Sequence, residues 1–256
     1  MNNIFVACPS YRGASEEDVK QLVSAEKLEA AGYPYAVCVC KGMAHLDLAR
    51  AELQAVYWKN KENFPLLGWQ DDDVLVDSGS YLEMLRILER RPDIDVIVAP
   101  YKLRFSGERG APVGGHLYSV SASKLEPDKD GVCPVVWTGL GCVVVRKSVV
   151  ERLYAKYPEL CFPSETGSLA CGVFNSLVVD GKEYDPSRED RMFLGDDRSW
   201  SHRLGKAGVT VWAYLDAVTN HRGIVGCLGE DLRVTASAPA QEKSALLGPD
   251  GKPLVT

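Results

Sequence analysis

Predicted strands and helices alternate through the first hundred residues of the chain. Four short apolar runs, each followed by a loop, predict buried strands at Ile4–Cys8, Tyr35–Cys40, Phe64–Gln70 and Asp95–Pro100. Amphipathic helical patterns separate these runs. This order favours right-handed crossovers and a mainly parallel sheet that is covered by helices on both faces. We therefore expect a single-domain α/β fold with a Rossmann-like, mixed but mainly parallel sheet flanked by helices.

Three adjacent carboxylates, Asp71-Asp72-Asp73, follow the third predicted strand. In an open α/β sheet, ligands bind beyond the carboxyl ends of the strands, so this loop should face the loops Pro9–Gly13 and Lys41–Met43. Carboxylates packed so closely repel one another unless a cation lies among them. A divalent metal that carries a phosphorylated ligand would supply that cation. The alternative is a solvated acidic turn that begins the next helix.

Two common nucleotide-binding motifs do not occur in the sequence. The loop after the first strand lacks Gly-x-Gly-x-x-Gly, and the chain has no P-loop Gly-Lys-Ser/Thr. The strand-end loops therefore predict a nucleotide site of neither the dinucleotide-binding nor the P-loop type.

Local signals predict two further boundaries. Ser80 and Glu83 form a capping-box pattern at the start of a helix, Tyr81–Arg91. Farther along the chain, Asp180-Gly181 predicts a tight hairpin between the extended segments on either side of it.

Composition narrows the class of protein. The net charge of −6 and the pI of about 5.3 disfavour a general nucleic-acid binder, which needs a basic face, although a local basic groove stays open. No apolar run reaches the length of a membrane span. Met1–Ile4 shows neither a basic region nor a signal-peptide core, so we expect a cytoplasmic protein.

The cysteines do not form a recognisable metal or disulfide framework. Eight are present, at positions 8, 38, 40, 133, 142, 161, 171 and 227, and none belongs to a Cys-x-x-Cys pair. Cys38 and Cys40 alternate in a strand-like run and would share one face. We therefore expect small buried thiols in a reducing compartment rather than disulfides or a zinc site.

Four motifs occur in an order that resembles a known class of enzyme. They are Asp71-Asp72-Asp73, Trp137-Thr138-Gly139-Leu140-Gly141, Gly195-Asp196-Asp197 and His221. Together they resemble nucleotide-sugar glycosyltransferases of the GT-A fold, most nearly the family-2-like and Mnn9/Anp1-like enzymes. The resemblance implies a GT-A domain over residues 1–227, with a nucleotide-binding half at about 1–105 and an acceptor-side half at about 106–227. Residues 228–256 would form a C-terminal tail or arm.

The resemblance implies a metal site. The Asp-x-Asp motif of these enzymes matches Asp71 and Asp73, of which the first approaches the ribose or the metal shell and the second binds the metal. Asp72 occupies the variable middle position and is a further candidate for donor binding. The late metal-binding histidine matches His221. Carboxylate and imidazole ligands suit Mn²⁺, with Mg²⁺ as the alternative, and such a metal would act as a Lewis acid on the diphosphate.

The resemblance also implies a catalytic base. The Glu-Asp pair at the start of a late helix matches Asp196-Asp197, with aspartate in place of glutamate at position 196. We expect Asp197 to accept the proton of the acceptor hydroxyl. The alternative is that Asp197 serves only as a helix N-cap.

Further residues are candidates for contact with a nucleotide-sugar donor. In this resemblance Pro9, Ser10, Tyr11 and Arg12 match the loop around the nucleobase, and Arg50 matches an arginine that contacts the nucleotide or diphosphate. Trp137, Gly139 and Gly141 would lie near the sugar, where glycine permits close approach of the backbone. Trp137 and Tyr11 could instead be packing residues. Arg50 could instead lie on the surface of its helix, and His221 could be an ordinary loop histidine.

The leading hypothesis is metal-dependent transfer of a sugar from a nucleotide diphosphate to a hydroxyl acceptor. That acceptor could be a glycan, a small molecule or a macromolecule, including a modified nucleic-acid base. One alternative is nucleotidyl transfer onto a sugar phosphate, which normally uses a glycine-rich loop after the first strand, whereas this chain has only Gly13 there. The other is a non-catalytic nucleotide- or glycan-binding protein of the same fold.

Overall fold

The computed structural model describes residues 3–11, 13–102, 118–122, 125–183, 188–221 and 227–228. The helices are α1 (Glu16–Leu22), α2 (Ala25–Ala30), α3 (Leu46–Asn60), α4 (Ser78–Arg90), α5 (Lys147–Lys156) and α6 (Asp196–Lys206). The strands are β1 (Ile4–Ser10), β2 (Tyr35–Lys41), β3 (Leu66–Gln70), β4 (Val74–Val76), β5 (Val96–Val98), β6 (Val120–Ser121), β7 (Val132–Val135), β8 (Trp137–Thr138), β9 (Cys142–Arg146), β10 (Cys161–Pro163), β11 (Leu169–Cys171), β12 (Leu177–Asp180), β13 (Arg191–Leu194), β14 (Val211–Tyr214), β15 (Thr219–His221) and β16 (Cys227–Leu228).

A central sheet of seven strands, in the order β2-β1-β3-β9-β5-β14-β7, organises the described part of the chain. β1 is parallel to β2 and β3, β14 is parallel to β5, and β9 is antiparallel to both β3 and β5. Since β7 is also antiparallel to its neighbour β14, five of these seven strands point the same way. The predicted α/β fold, with a mixed and mainly parallel sheet in a single domain, is confirmed.

Apolar side chains fill both faces of this sheet. Alternation along β1 directs Phe5 and Ala7 to one face, where they pack in a cluster with residues of α3, α5 and α6. Ile4 and Val6 point to the opposite face, against residues of α1, α2 and α4. β1 is buried along its whole length because both faces are covered, which explains its continuous apolar sequence.

The predicted start of α4 is wrong by three residues. Asp77 is the N-cap, and its Oδ2 accepts hydrogen bonds from the amides of Gly79 (2.9 Å) and Ser80 (3.2 Å). The Ser80 hydroxyl instead accepts from the Val218 amide at 2.9 Å. Ser80 therefore ties α4 to the segment before β15, and the carboxylate three residues upstream supplies the cap.

The predicted hairpin at Asp180-Gly181 is also wrong. β12 pairs in antiparallel register with β13, ten residues farther on, so that Leu177 faces Leu194 and Asp180 faces Arg191. Gly181–Glu183 form a 3₁₀ turn between them. β13 ends at Leu194, and Gly195 alone separates it from Asp196, the first residue of α6.

Some sequence-based predictions fall on residues outside the described ranges. They include the donor role of Arg12 and nearly all of the predicted tail at 228–256. No helix among the described residues is long and apolar enough to cross a membrane.

Candidate active site

Asp71-Asp72-Asp73, which we name the acidic loop, lie at the edge of the central sheet where β3 ends and β9 begins. Gln70, the last residue of β3, faces Cys142, the first residue of β9. Just beyond this pair, the Asp71 amide donates to the Gly141 carbonyl at 2.9 Å. The structure therefore brings Asp71-Asp72-Asp73 and the segment from Trp137 to Gly141 together.

Arg50 of α3 lies at the centre of a cluster of carboxylates. Its side chain is only 1% exposed. Nη2 donates to Asp71 Oδ1 at 3.1 Å, while Nη1 donates to Asp197 Oδ1 at 3.0 Å and also to Asp196 Oδ2. We name these four residues the Arg50 cluster. With three ionised carboxylates against one guanidinium, its formal charge would be −3 + 1 = −2.

Burial and mutual repulsion shift the pKa values in the Arg50 cluster. Burial raises the pKa of Asp71 although Arg50 opposes the shift. Burial, reinforced by Asp196 and Asp71, raises the pKa of Asp197 to about 7. The three carboxylates outweigh burial at Arg50 and raise its pKa further. Near neutral pH, Asp197 therefore exchanges a proton readily, which suits a general acid or base.

Asp197 is positioned by the first turn of α6 and by the loop beside it. The N-cap of α6 is Gly195, so Asp197 lies inside the helix and its N-cap alternative is wrong. The Leu140 amide donates to its carboxylate. Its carbonyl accepts from the Ser201 hydroxyl at 2.9 Å, and that hydroxyl in turn accepts from the Thr138 amide at 3.2 Å. These bonds hold Asp197 against the segment from Trp137 to Gly141.

The surface alternative for Arg50 is wrong as well, because its side chain is buried. Its contact with a nucleotide or diphosphate stays a prediction. In the structure both terminal nitrogens of its guanidinium are already donating to carboxylates.

His221 and Asp73 face each other on the other side of the acidic loop. His221 ends β15 and lies opposite Val74 of β4, directly after Asp73. Its Nδ1 lies 2.8 Å from the Lys102 carbonyl oxygen, and its Nε2 lies 3.6 Å from Asp73 Oδ1. A carbonyl oxygen only accepts, so Nδ1 carries a hydrogen and Nε2 is the ring nitrogen that faces Asp73.

The first strand-end loop reaches the acidic loop through Ser10. The Ser10 hydroxyl donates to Asp72 Oδ2 at 2.6 Å and accepts from the Ala14 amide at 2.7 Å. Pro9 is buried beside it. Tyr11 is 76% exposed, so the structure leaves its ring accessible. The structure therefore places the predicted nucleobase loop next to Asp72.

The glycines of the segment from Trp137 to Gly141 make room for Tyr101. A Cβ at Gly139 would collide with the Tyr101 hydroxyl, and one at Gly141 would lie 2.5 Å from Tyr101 Cε1. The ring of Tyr101 also packs edge-on against His221, with 4.9 Å between ring centroids. Trp137, at the start of the segment, is half-buried under the guanidinium of Arg198, 4.5 Å from its ring centroid.

No protein-family model matches the chain, and no curated protein matches it. A197 from STIV has a TM-score of 0.49 and 14% identity, covering 95% of this chain and 99% of its own. A glycosyltransferase involved in the glycosylation of the major capsid of PBCV-1 has a TM-score of 0.32 and 11% identity, covering 83% of this chain and 94% of its own. Both TM-scores lie below 0.5, so the activity has to be inferred from the site itself.

Two buried residues of the site were missed by sequence reasoning. Tyr101 fills the space between Gly139, Gly141 and His221. Gln70 is fully buried, and its Nε2 donates to the carbonyls of Asp71 (3.0 Å) and Val74, which braces the acidic turn. Each is a polar or amphipathic residue at, or directly after, the end of a predicted strand. Ligands bind at that edge of such sheets, so this position could have identified both residues.

Replacing Gly141 by alanine is expected to lower the free energy of unfolding by about 1–3 kcal/mol through overpacking. The added methyl group would meet Tyr101 Cε1 at 2.5 Å and Val74 Cγ2 at 2.7 Å. Gly205→Ala in α6 is the matched control, because its Cβ would meet nothing within 4 Å and alanine favours a helix. Urea unfolding of both variants checks this, and equal effects of the two would contradict it.

Proposed function

We propose that this protein is a metal-dependent glycosyltransferase that moves a sugar from a nucleotide diphosphate donor to a hydroxyl acceptor. The observation that carries the proposal is the position of the Arg50 cluster beside the Asp73–His221 pair, at one sheet edge. This arrangement puts a carboxyl group with a pKa of about 7 next to candidate ligands for a divalent cation. The acceptor class and a cytoplasmic location stay predictions.

The side chains of Asp73 and His221 are chemically suited to bind a divalent metal. Nε2 of His221 and Oδ1 of Asp73 face each other at 3.6 Å, and both are acceptors in the tautomer that carries its only ring hydrogen on Nδ1. Two facing acceptors repel unless a proton or a cation lies between them. Imidazole and carboxylate together suit Mn²⁺, with Mg²⁺ as the alternative. The hydrogen bond from Nδ1 to the Lys102 carbonyl resembles the outer-shell contact that orients metal-binding histidines.

Asp73 and His221 would hold the metal, with Asp71 as a third candidate. Among the described residues, no group of three or more His, Cys, Asp and Glu side chains is already arranged around a metal position. In the structure Asp71 accepts from Arg50 Nη2 and so belongs to the Arg50 cluster. When bound, the metal would act as a Lewis acid on the diphosphate that leaves the sugar.

Residues of the site would supply the catalytic base and would position the acidic side chains. Asp197 would take the proton of the acceptor hydroxyl as that oxygen attacks the sugar. Arg50 would hold Asp197 and Asp71 in place by charge-assisted hydrogen bonds. Ser10 fixes Asp72 beside the loop that is predicted to contact the nucleobase.

Donor binding is expected to require both the metal and Asp73. A ligand that binds only the folded chain raises the melting temperature by mass action. We expect one class among UDP-, GDP- and dTDP-sugars to raise it when Mn²⁺ is present. We expect this shift to disappear in Asp73→Ala. Thermal unfolding with and without Mn²⁺ measures both effects.

Asp93→Ala is the control for this experiment, because Asp93 pairs with Arg91 on the surface. It should keep the full shift. A shift that is indifferent to Mn²⁺ and to Asp73→Ala would contradict the metal site. Release of nucleoside diphosphate from the bound donor would then separate an enzyme from a binding protein.

The pH dependence of stability and activity should follow Asp197. Its raised pKa means that the folded chain binds more protons than the unfolded chain between the ordinary carboxyl value and about 7. The stability from this group is therefore fully present below pH ~4 and is lost as the pH rises through about 7. Activity should rise over the same window, since the base must be deprotonated.

Urea unfolding and donor turnover, each measured from about pH 5 to about pH 8, check this dependence. In Asp197→Asn the part of the stability slope that arises from this carboxyl should vanish. Turnover that is flat across the window would contradict the role of Asp197 as the base.

A further inference from the structure

A short hairpin formed by β10 and β11 covers one side of α3. Ala170 of β11 packs with Ala51 and Ala55 of α3, and Phe162 of β10 lies against them. At the hairpin tip the Glu165 amide donates to Glu52 Oε1 at 3.4 Å. The hairpin therefore rests on the helix that carries Arg50.

Two cysteines face each other across this hairpin. The register pairs Cys161 of β10 with Cys171 of β11. On either side of this pair, the Gly172 amide donates to the Leu160 carbonyl and the Ser164 amide donates to the Ser168 carbonyl, both at 2.9 Å. In antiparallel strands, hydrogen-bonded and non-hydrogen-bonded pairs alternate.

This alternation makes Cys161 and Cys171 a non-hydrogen-bonded pair. Positions 160 and 164 belong to hydrogen-bonded pairs, so position 161 belongs to the other kind. In such pairs the Cα atoms lie about 4.5 Å apart and the side chains are close. That separation falls within the range of about 4.4–6.8 Å that disulfides require.

The two thiols already point to one place. Both sulfurs hydrogen-bond the Tyr157 carbonyl, Cys161 at 3.6 Å and Cys171 at 3.8 Å. The thiols also lie in hydrogen-bonding contact with each other. Cys38 and Cys40 differ, since they lie opposite Ala7 and Pro9 on β1.

We propose that Cys161 and Cys171 are a dithiol pair that closes to a disulfide by exchange with a small disulfide such as oxidised glutathione. Cys161, which is half-buried, attacks the glutathione disulfide as a thiolate and releases one glutathione thiolate. Cys171 then attacks the Cys161 sulfur of the mixed disulfide and releases the second. The two protein thiols lose two protons and two electrons, and one glutathione disulfide becomes two glutathione thiols.

The order of these two steps follows from burial. Cys171 is fully buried, and burial raises the pKa of its thiol, so an external disulfide reaches Cys161 first. The closed bridge would join β10 to β11 and so restrain the hairpin that packs on α3. It would therefore stabilise the folded chain whether or not a donor is bound, independently of the proposed activity.

The full chain, incubated in glutathione buffers of rising oxidation, tests this proposal. Alkylation of free thiols and peptide mass mapping should show Cys161 and Cys171 losing reactivity together and forming one linked peptide pair. The melting temperature should rise by about 5 °C or more on oxidation, and dithiothreitol should reverse the rise. Cys161→Ser should abolish both effects, while the control Cys38→Ser should keep both.

A second variant checks the order of attack. Cys171→Ala should trap glutathione on Cys161 as a stable mixed disulfide. Three outcomes would overturn the proposal: free Cys161 in the most oxidising buffer, a glutathione adduct that persists on Cys161 in the unmutated chain, or a link from Cys161 to another cysteine.

Discussion

Replacing Arg50 by alanine is expected to lower the free energy of unfolding by about 3–5 kcal/mol at neutral pH. The guanidinium is buried and offsets the charge of Asp71, Asp196 and Asp197. Without it, three crowded carboxylates would repel one another with no cation between them. Urea unfolding of the variant and of the unmutated chain measures the difference.

The pH dependence of this loss identifies its cause. As the pH falls, the carboxylates of Arg50→Ala can take up protons, so the deficit should shrink towards acid pH. A deficit that stays constant with pH would point to lost packing instead and would contradict an electrostatic role. Lys61→Ala, just past the end of α3, is the control, because Lys61 pairs with Glu62 and Glu151 at the surface and its loss should matter far less.

Arg50 also shows where prediction from sequence stops. The sequence predicted that Arg50 lies on a helix before β3. It also predicted the sheet edge at which Asp71-Asp72-Asp73 lie. Its partners Asp196 and Asp197 lie 146 and 147 residues farther along the chain. No local pattern reports a contact of that range, so the sequence could suggest a phosphate for Arg50 but not the carboxylates that surround it.

The same limit applies to the sheet. The parallel strands and their shared edge followed from the alternation of strands and helices, which is a local signal. The insertion of β9 between β3 and β5 did not, because antiparallel pairing of a late strand depends on packing across the whole domain. That insertion is what brings Gly141 beside Asp71 and builds the site from two distant parts of the chain.

Short-range predictions failed where two local signals compete. Asp77 precedes α4 and Ser80 lies in its first turn, and either residue type can cap a helix. The structure uses Asp77 because Ser80 is needed by the Val218 amide, a contact that the sequence does not reveal.

Replacing Asp197 by asparagine is expected to lower turnover by about 10²- to 10⁴-fold, which is the usual contribution of a general base. Asparagine is nearly isosteric, and its carbonyl oxygen can still accept from Arg50. Donor binding, measured by thermal shift with Mn²⁺, should therefore persist while turnover is lost. Release of nucleoside diphosphate from the donor that binds measures turnover.

Measuring the stability of Asp197→Asn distinguishes a loss of turnover from a folding defect. Asp197→Asn removes one negative charge from a cluster whose formal charge would otherwise be −2, so it should not destabilise the folded chain near pH 8. Asp196→Asn is the matched control, since it removes the same charge from the adjacent position on α6. An equal loss of turnover in both variants would mean that the charge of the Arg50 cluster, rather than proton transfer at Asp197, supports the reaction.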